Sequence, residues 1–122
     1  MKSSKKITMA KKQTELFTAE TIKSLETERE FQTRVCDFAR LCGWSVYSVP
    51  DSRRATLSGY PDLTMWRTTD RRIIFAELKR EKGRISPAQE VIIGELRALG
   101  KVEVYLWKPS DWPEILGVLQ RP

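Results

Sequence analysis

One stretch of this 122-residue sequence has residue types and spacing suited to phosphate chemistry: Gly59 to Lys79, GYPDLTMWRTTDRRIIFAELK. Pro61-Asp62 opens it, and Glu77-Leu78-Lys79 closes it at the end of the apolar run Ile73, Ile74, Phe75, Ala76 and Leu78. That run is short, β-branched at its start and bounded by an Asp70-Arg71-Arg72 turn, which predicts a buried strand. Side chains alternate along a strand, so Glu77 and Lys79 share one face and Leu78 enters the opposite layer. Charges at the end of so apolar a strand are costly to bury unless they face a cleft, a metal or each other. Asp62 begins a second strand, expected over Asp62–Trp66, and a hairpin can set it beside them.

A helix must supply the fourth group. Thr27 is a plausible N-cap, Glu28–Cys42 the helix and Gly43 its C′ stop. Phe31, Val35, Phe38, Ala39 and Cys42 form its inward stripe. Glu28 lies at the edge of that stripe, whereas Glu30 falls about 200° from Glu28 around the axis, in a row with Arg34, Asp37 and Leu41. Glu28 is therefore the acid able to face inward, and Glu30 a surface residue. A plainer role for Glu28 is to complement the helix dipole.

Together Glu28, Asp62 and Glu77 offer hard carboxylate oxygens, the donors that Mg²⁺ or Mn²⁺ prefers. Such an ion stabilises charge growing on a phosphodiester and acidifies a bound water. Lys79 can orient or help deprotonate that water and offset phosphate charge. A lone Glu-x-Lys is common, so the wider context decides.

The formal charge is +6 and the isoelectric point near 9.5, a balance that favours a polyanionic partner. A basic but otherwise ordinary soluble surface is the bland alternative. Basic residues of the body are mostly arginines, suited to bidentate phosphate contacts. Arg53 and Arg54 precede the motif in a loop, and Lys82 and Arg84 follow it; all four are candidate DNA contacts. No histidine is present, which excludes histidine triads and most zinc sites. Cys36 and Cys42, in one helix and about 9 Å apart along it, cannot bridge each other. A reduced cytoplasm fits. No apolar run reaches the length of a membrane span, and no h-region follows the first lysines.

Residues 1–26 read as a basic, flexible tail, with a weak helical signal in 14–26 around Leu16, Phe17, Ile22 and Leu25; residues 27–122 read as one domain. Strands are expected over Trp44–Val49, Asp62–Trp66, Arg72–Lys79 and Val102–Trp107. Ser86-Pro87-Ala88-Gln89 starts a helix with a capping box, carried on by Val91, Ile92, Glu95, Leu96 and Leu99. A last helix runs from Pro109 to Leu119. The order α-β-β-β-α-β-α predicts one α/β domain, a mixed central sheet flanked by helices on both faces.

Six segments carry a resemblance. They are Thr27-Glu28-x-x-Phe31, Ala39-x-x-x-Gly43-Trp44, Asp51-Ser52-Arg53-Arg54, Gly59-Tyr60-Pro61-Asp62-Leu63, Phe75-Ala76-Glu77-Leu78-Lys79 and Gly83-Arg84-x-Ser86-Pro87-x-Gln89. Together they resemble the VRR-NUC family, a branch of the PD-(D/E)XK nuclease superfamily with a restriction-endonuclease-like fold. The resemblance runs from Thr27 to about Trp112 and is greatest to stand-alone phage and bacterial members. It implies that Asp62, Glu77 and the Leu78 carbonyl ligate the metal. Glu28 would be the helix-borne acid, Lys79 the catalytic lysine and Gln89 a further site residue. It further implies a structure-selective, Mg²⁺- or Mn²⁺-dependent DNA endonuclease acting on branched DNA, similar to Holliday-junction resolvases and working as a homodimer. A nuclease for flaps, nicks or ends is the second reading. A non-catalytic DNA-binding module is the third, disfavoured by an intact Asp62, Glu77 and Lys79. Trp66, Tyr105, Trp107, Trp112, Ile115, Leu116 and Leu119 are candidates either for a dimer interface or for the monomer's own core.

Overall fold

A computed structural model describes residues 26–50 and 56–122. The expected tail and the weak helix (all but Glu26), together with Arg53 and Arg54, lie outside the described residues.

Helix α1 (Glu28–Leu41) begins at Thr27, whose Oγ1 accepts the Glu30 N–H at 3.1 Å while the Glu30 carboxylate accepts the Thr27 N–H at 3.4 Å. This is a full capping box, so the exposed Glu30 has a local structural task. At the other end Gly43 adopts φ +87°, the left-handed conformation expected of a C′ residue. Phe31, Val35 and Ala39 are fully buried on the predicted stripe.

Strands β1 (Ser45–Ser48), β2 (Leu63–Arg67), β3 (Arg72–Leu78) and β4 (Glu103–Trp107) form one mixed sheet in the order β1-β2-β3-β4. The first two pairings are antiparallel, and β3–β4 is parallel. The parallel pair needs a crossover, and helix α2 (Pro87–Ala98) provides it. A 3₁₀ turn (Pro109–Asp111) leads into α3 (Trp112–Gln120).

Alternation sorts the sheet into two faces. Leu63, Met65, Ile74, Ala76, Leu78 and Trp107 pack with the α1 stripe and with Ile115, Val118 and Leu119 of α3 in one core. Truncating Phe31 to Ala there should cost about 3–5 kcal/mol. Glu77 points to the other face, which α2 partly covers.

Of the residues that carry α2, Val91 and Leu99 are 58% and 63% exposed, and the buried ones are Ile92 and Ile93. Gln89 sets this phase: it turns inward to Glu77, so positions three and four further on follow it. Of the seven dimer-interface candidates, Trp107, Ile115 and Leu119 are fully buried in the chain's own core, whereas Trp66 remains 42% exposed. Among the described residues no helix is long and apolar enough to cross a membrane.

Candidate active site

Asp62 sits at the entry of β2, next to the end of β3 because the antiparallel register sets Leu63 against Ala76. Its Oδ2 accepts the Leu78 N–H at 2.8 Å. The carboxylate is thus tied to the strand that carries Glu77. Upstream, Pro61 is fully buried and the Val49 N–H reaches the Asp62 carbonyl at 3.3 Å, which pins the chain on both sides of the acid.

Glu77 is 1% exposed. Gln89 Nε2 donates to its Oε1 at 3.0 Å. The same amide accepts the Ser86 N–H through its oxygen at 2.8 Å, and the Ser86 hydroxyl accepts the Gln89 N–H at 3.2 Å. One side chain therefore both closes the capping box of α2 and holds Glu77. The two expected roles coexist because an amide has separate donor and acceptor ends.

Lys79 follows β3 on the Glu77 face. Its Nζ lies 3.6 Å from Glu77 Oε1 and 3.8 Å from Glu28 Oε1. The first turn of α1 thus delivers Glu28, the acid that the helical phase turned inward, while Glu30 stays with Thr27. Leu78 reaches the site through its main chain, with its side chain fully buried in the opposite layer.

Oxygens of Glu28, Asp62 and Glu77 all lie within 4.8 Å of one another. Such crowding shifts titration: Glu77 is pushed up to about 9. Burial is the largest cause, then the hydrogen bond to Asp62 and the Asp62 charge, with Lys79 pulling the other way. Glu77 Oε2 is buried and, while ionised, has no hydrogen-bond partner among the described residues; protonated, it can give its proton to Asp62. A divalent cation held by Glu28, Asp62 and Glu77 would answer both problems, by neutralising the cluster and compensating the buried oxygen. The donor set, three carboxylates, suits Mg²⁺ or Mn²⁺ by chemistry.

Lys82 and Arg84 are exposed on the loop between β3 and α2. A turn from the Gly83 N–H to the Arg80 carbonyl at 2.8 Å and a bond from the Ser110 N–H to Glu81 at 3.0 Å hold that loop. They flank the acids without touching them.

A structural feature that the sequence reading missed lies at the far end of the sheet. Arg67 is 8% exposed. It forms a bidentate pair with Asp70 (2.9 and 2.7 Å) and donates to the carbonyls of Cys42 (2.8 Å), Leu119 (3.0 Å) and Arg121. Its pattern in sequence, one arginine in an apolar strand, gives no sign of this.

Comparison with known proteins bears on the whole arrangement. No curated protein matches the chain. A solved structure described as a VRR-NUC domain is similar, with a TM-score of 0.54 over 75% of this chain and 97% of that one. At 22% identity, that likeness concerns the fold. The family model of the VRR-NUC domain matches residues 15–107, beginning before the capping box of α1. By that match over most of its length, the chain belongs to the VRR-NUC family and carries a nuclease domain.

Proposed function

We propose that this chain is a divalent-metal-dependent DNA endonuclease that acts on branched DNA, four-way junctions first. The observation that carries the reading is the cluster of Glu28, Asp62 and Glu77 around a buried carboxylate oxygen with no partner among the described residues, with Lys79 alongside. A protein that only bound DNA would gain nothing by turning three acids toward phosphate.

Asp62, Glu77 and Glu28 would hold the ion, with the Leu78 carbonyl as the main-chain donor that the family resemblance implies. Such an ion, when bound, supplies charge neutralisation at the phosphodiester and an acidified water. The chain's own groups do the rest. Leu78 N–H fixes Asp62, and Gln89 fixes Glu77, so the acids are set before substrate arrives. The Lys79 ammonium is placed to orient the attacking water and to offset charge on a phosphate oxygen. Arg53, Arg54, Lys82 and Arg84 would hold the flanking backbone through charge.

One chain carries one such set, so one chain cuts one strand at a time. A four-way junction needs two nicks related by its approximate two-fold axis, which a C₂ homodimer would supply. Tyr47 (52% exposed) and Trp66 (42%) are diagonal neighbours on the sheet face opposite the α1 core, and they support that assembly. The single set also favours a second reading, a monomer that cuts flaps, nicks or ends.

Labelled linear, flap and four-way DNA, each with Mg²⁺, Mn²⁺ or EDTA, tests both. Preferential cutting of four-way DNA, metal-dependent and by a species near twice 14.2 kDa in light scattering, is expected. Preference for flaps by a monomer selects the second reading.

A further inference from the structure

Between the loop that leads into Asp62 and the first turn of α2 lies a cavity of about 230 Å³. It borders the carboxylate cluster through Asp62 and Gln89. Val49, Leu57 and Tyr60 give it apolar lining, and Ser58 and Ser86 contribute hydroxyls. The walls are held in place. Gly59 has φ +88°, and a Cβ there would stand 2.4 Å from the Ala88 carbonyl oxygen and 2.8 Å from the Gln89 nitrogen. Only glycine allows the loop so close to the helix backbone. Tyr60 shares a 2.7 Å hydrogen bond with Thr64 Oγ1, and its ring stands edge-on to Phe75 at 6.3 Å. Nothing assigned to Asp62, Glu77 or Lys79 requires this space.

The lining selects the occupant. Among the described residues it includes neither lysine nor arginine, and it offers apolar and hydroxyl surface rather than cations for a phosphate. A flat group with an apolar face and a hydrogen-bonding edge fits the pairing of Tyr60 and Leu57 with two serine hydroxyls. At about 230 Å³ the space is smaller than the roughly 300–1,000 Å³ of sites for drug-sized ligands. A single base suits it, as a flipped base suits an enzyme pocket.

We infer that the cavity takes one unpaired nucleobase from the nucleotide next to the scissile phosphate. This deepens the nuclease reading and rests on it: it names the feature of branched DNA that the site senses. Extracting a base from an intact duplex costs free energy, and at a branch, fray or nick the base is already loose. Structure selectivity then follows with little sequence preference, because every base has a π-face and serine hydroxyls can donate or accept.

The test uses forked or four-way DNA with the cut position mapped first. An abasic residue replaces the nucleotide on each side of that position in turn, and three nucleotides away as control. With the unaltered chain, one flanking replacement should slow cleavage about tenfold or more relative to the control, within the range one base stack supplies. Leu57→Ala and Tyr60→Ala, checked for folding by thermal melting, should slow cutting of the intact substrate and shrink the abasic effect to about twofold or less. Equal cutting of intact and abasic substrates overturns the assignment. An abasic effect undiminished in both folded variants puts the base elsewhere and overturns it too. Cleavage of no substrate at all removes the nuclease reading and this one with it, so the two failures are distinguishable.

Discussion

Both ends of the sheet bury charge, and they settle it in opposite ways. At the β2–β3 turn, the five N–H donors of Arg67 meet five acceptors, and Arg72 pairs with Glu103 at 2.7 Å while donating to the Val118 and Arg121 carbonyls. Both guanidiniums also lie over the Trp44 ring, at 4.5 and 4.9 Å. Their acids feel it: the Arg67 hydrogen bond draws Asp70 below the usual carboxylate range, and the Arg72 bond does the same to Glu103. At the opposite end Glu77 moves upward to about 9, chiefly through burial, and one of its oxygens has no partner among the described residues. The arginine end gathers carbonyls from the close of α1 and α3 and fastens two helices to the sheet. The acid end is left unfinished, and a fold keeps such a deficit where a ligand completes it.

Activity separates the two ends most sharply. Lys79→Ala or Asp62→Asn should lower cleavage by about a thousandfold or more and leave DNA binding within about tenfold, because in the proposed roles these groups act on the transition state. Single-turnover cleavage beside a gel-shift titration measures both. Near-normal cutting by either variant would end the catalytic assignment.

Stability separates them with opposite signs. Arg67→Ala removes five hydrogen bonds, leaves the Cys42 carbonyl without its donor and leaves Asp70 with Arg72 alone at 3.7 Å, and should destabilise by about 2–3 kcal/mol, or roughly 10 °C in melting temperature. Glu77→Gln should raise the melting temperature of the metal-free protein at pH 8, because a neutral amide avoids the ionisation that burial opposes. The pH dependence follows from the same shift. Glu77 titrates near 9 when folded against 4.5 ordinarily, so the folded state holds a proton that the unfolded chain has released. Its contribution is present below about pH 4.5 and is lost as pH rises towards 9. Melting curves of the metal-free protein should therefore decline across that window, and Mg²⁺ or Mn²⁺ should reverse the decline by favouring the ionised form. Asp70 and Glu103 are lowered, so the arginine end loses its contribution in acid instead. A metal-free melting temperature that is flat between pH 5 and 9 would remove the contrast.

How much of this was readable in the residues depends on the type of signal. Strand alternation fixed Glu77 and Lys79 on one face, and helical phase turned Glu28 inward, because both follow from rigid backbone periods. Gln89 and its capping box were legible for the same local reason. The buried arginine cluster was not, since Arg67 and Arg72 look like surface charges until the β2–β3 register and the end of α3 bring carbonyls to them. The inward phase of α2 is not legible in its apolar residues because a polar residue, Gln89, faces inward with Ile92 and Ile93. Composition alone leaves Trp107, Ile115 and Leu119 between core and interface, and the packing of α3 on the sheet places them in the core. The Thr27-x-x-Glu30 spacing is itself a capping-box signature, and the structure forms that box.

Within the first turn of α1 the same contrast recurs on a smaller scale. Glu30→Ala removes the capping-box acceptor and should cost about 0.5–1 kcal/mol of stability with cleavage unchanged. Glu28→Ala should leave the cap intact and weaken metal affinity or rate. Thermal melts and a Mn²⁺ titration of activity distinguish them. If the effects swap, the helical-face argument for Glu28 is wrong.

The smallest effect concerns the loop beyond β3. Lys82 and Arg84 are exposed, and Glu81 and Gly83, not these two, make the bonds that anchor the loop. They therefore contribute neither to the satisfied arginine end nor to the acid cluster, and what remains for them is long-range charge. A cation that neutralises one DNA phosphate releases about one counterion, which shows as the slope of log affinity against log salt. Lys82→Ala and Arg84→Ala should each make that slope shallower by about one ion, weaken binding severalfold at low salt and leave melting temperature unchanged. Fluorescence anisotropy on a four-way DNA across a range of salt concentrations gives the slope directly. Unchanged slopes in both variants would class these residues as ordinary surface charges, and the phosphate contacts would then have to come from elsewhere on the chain.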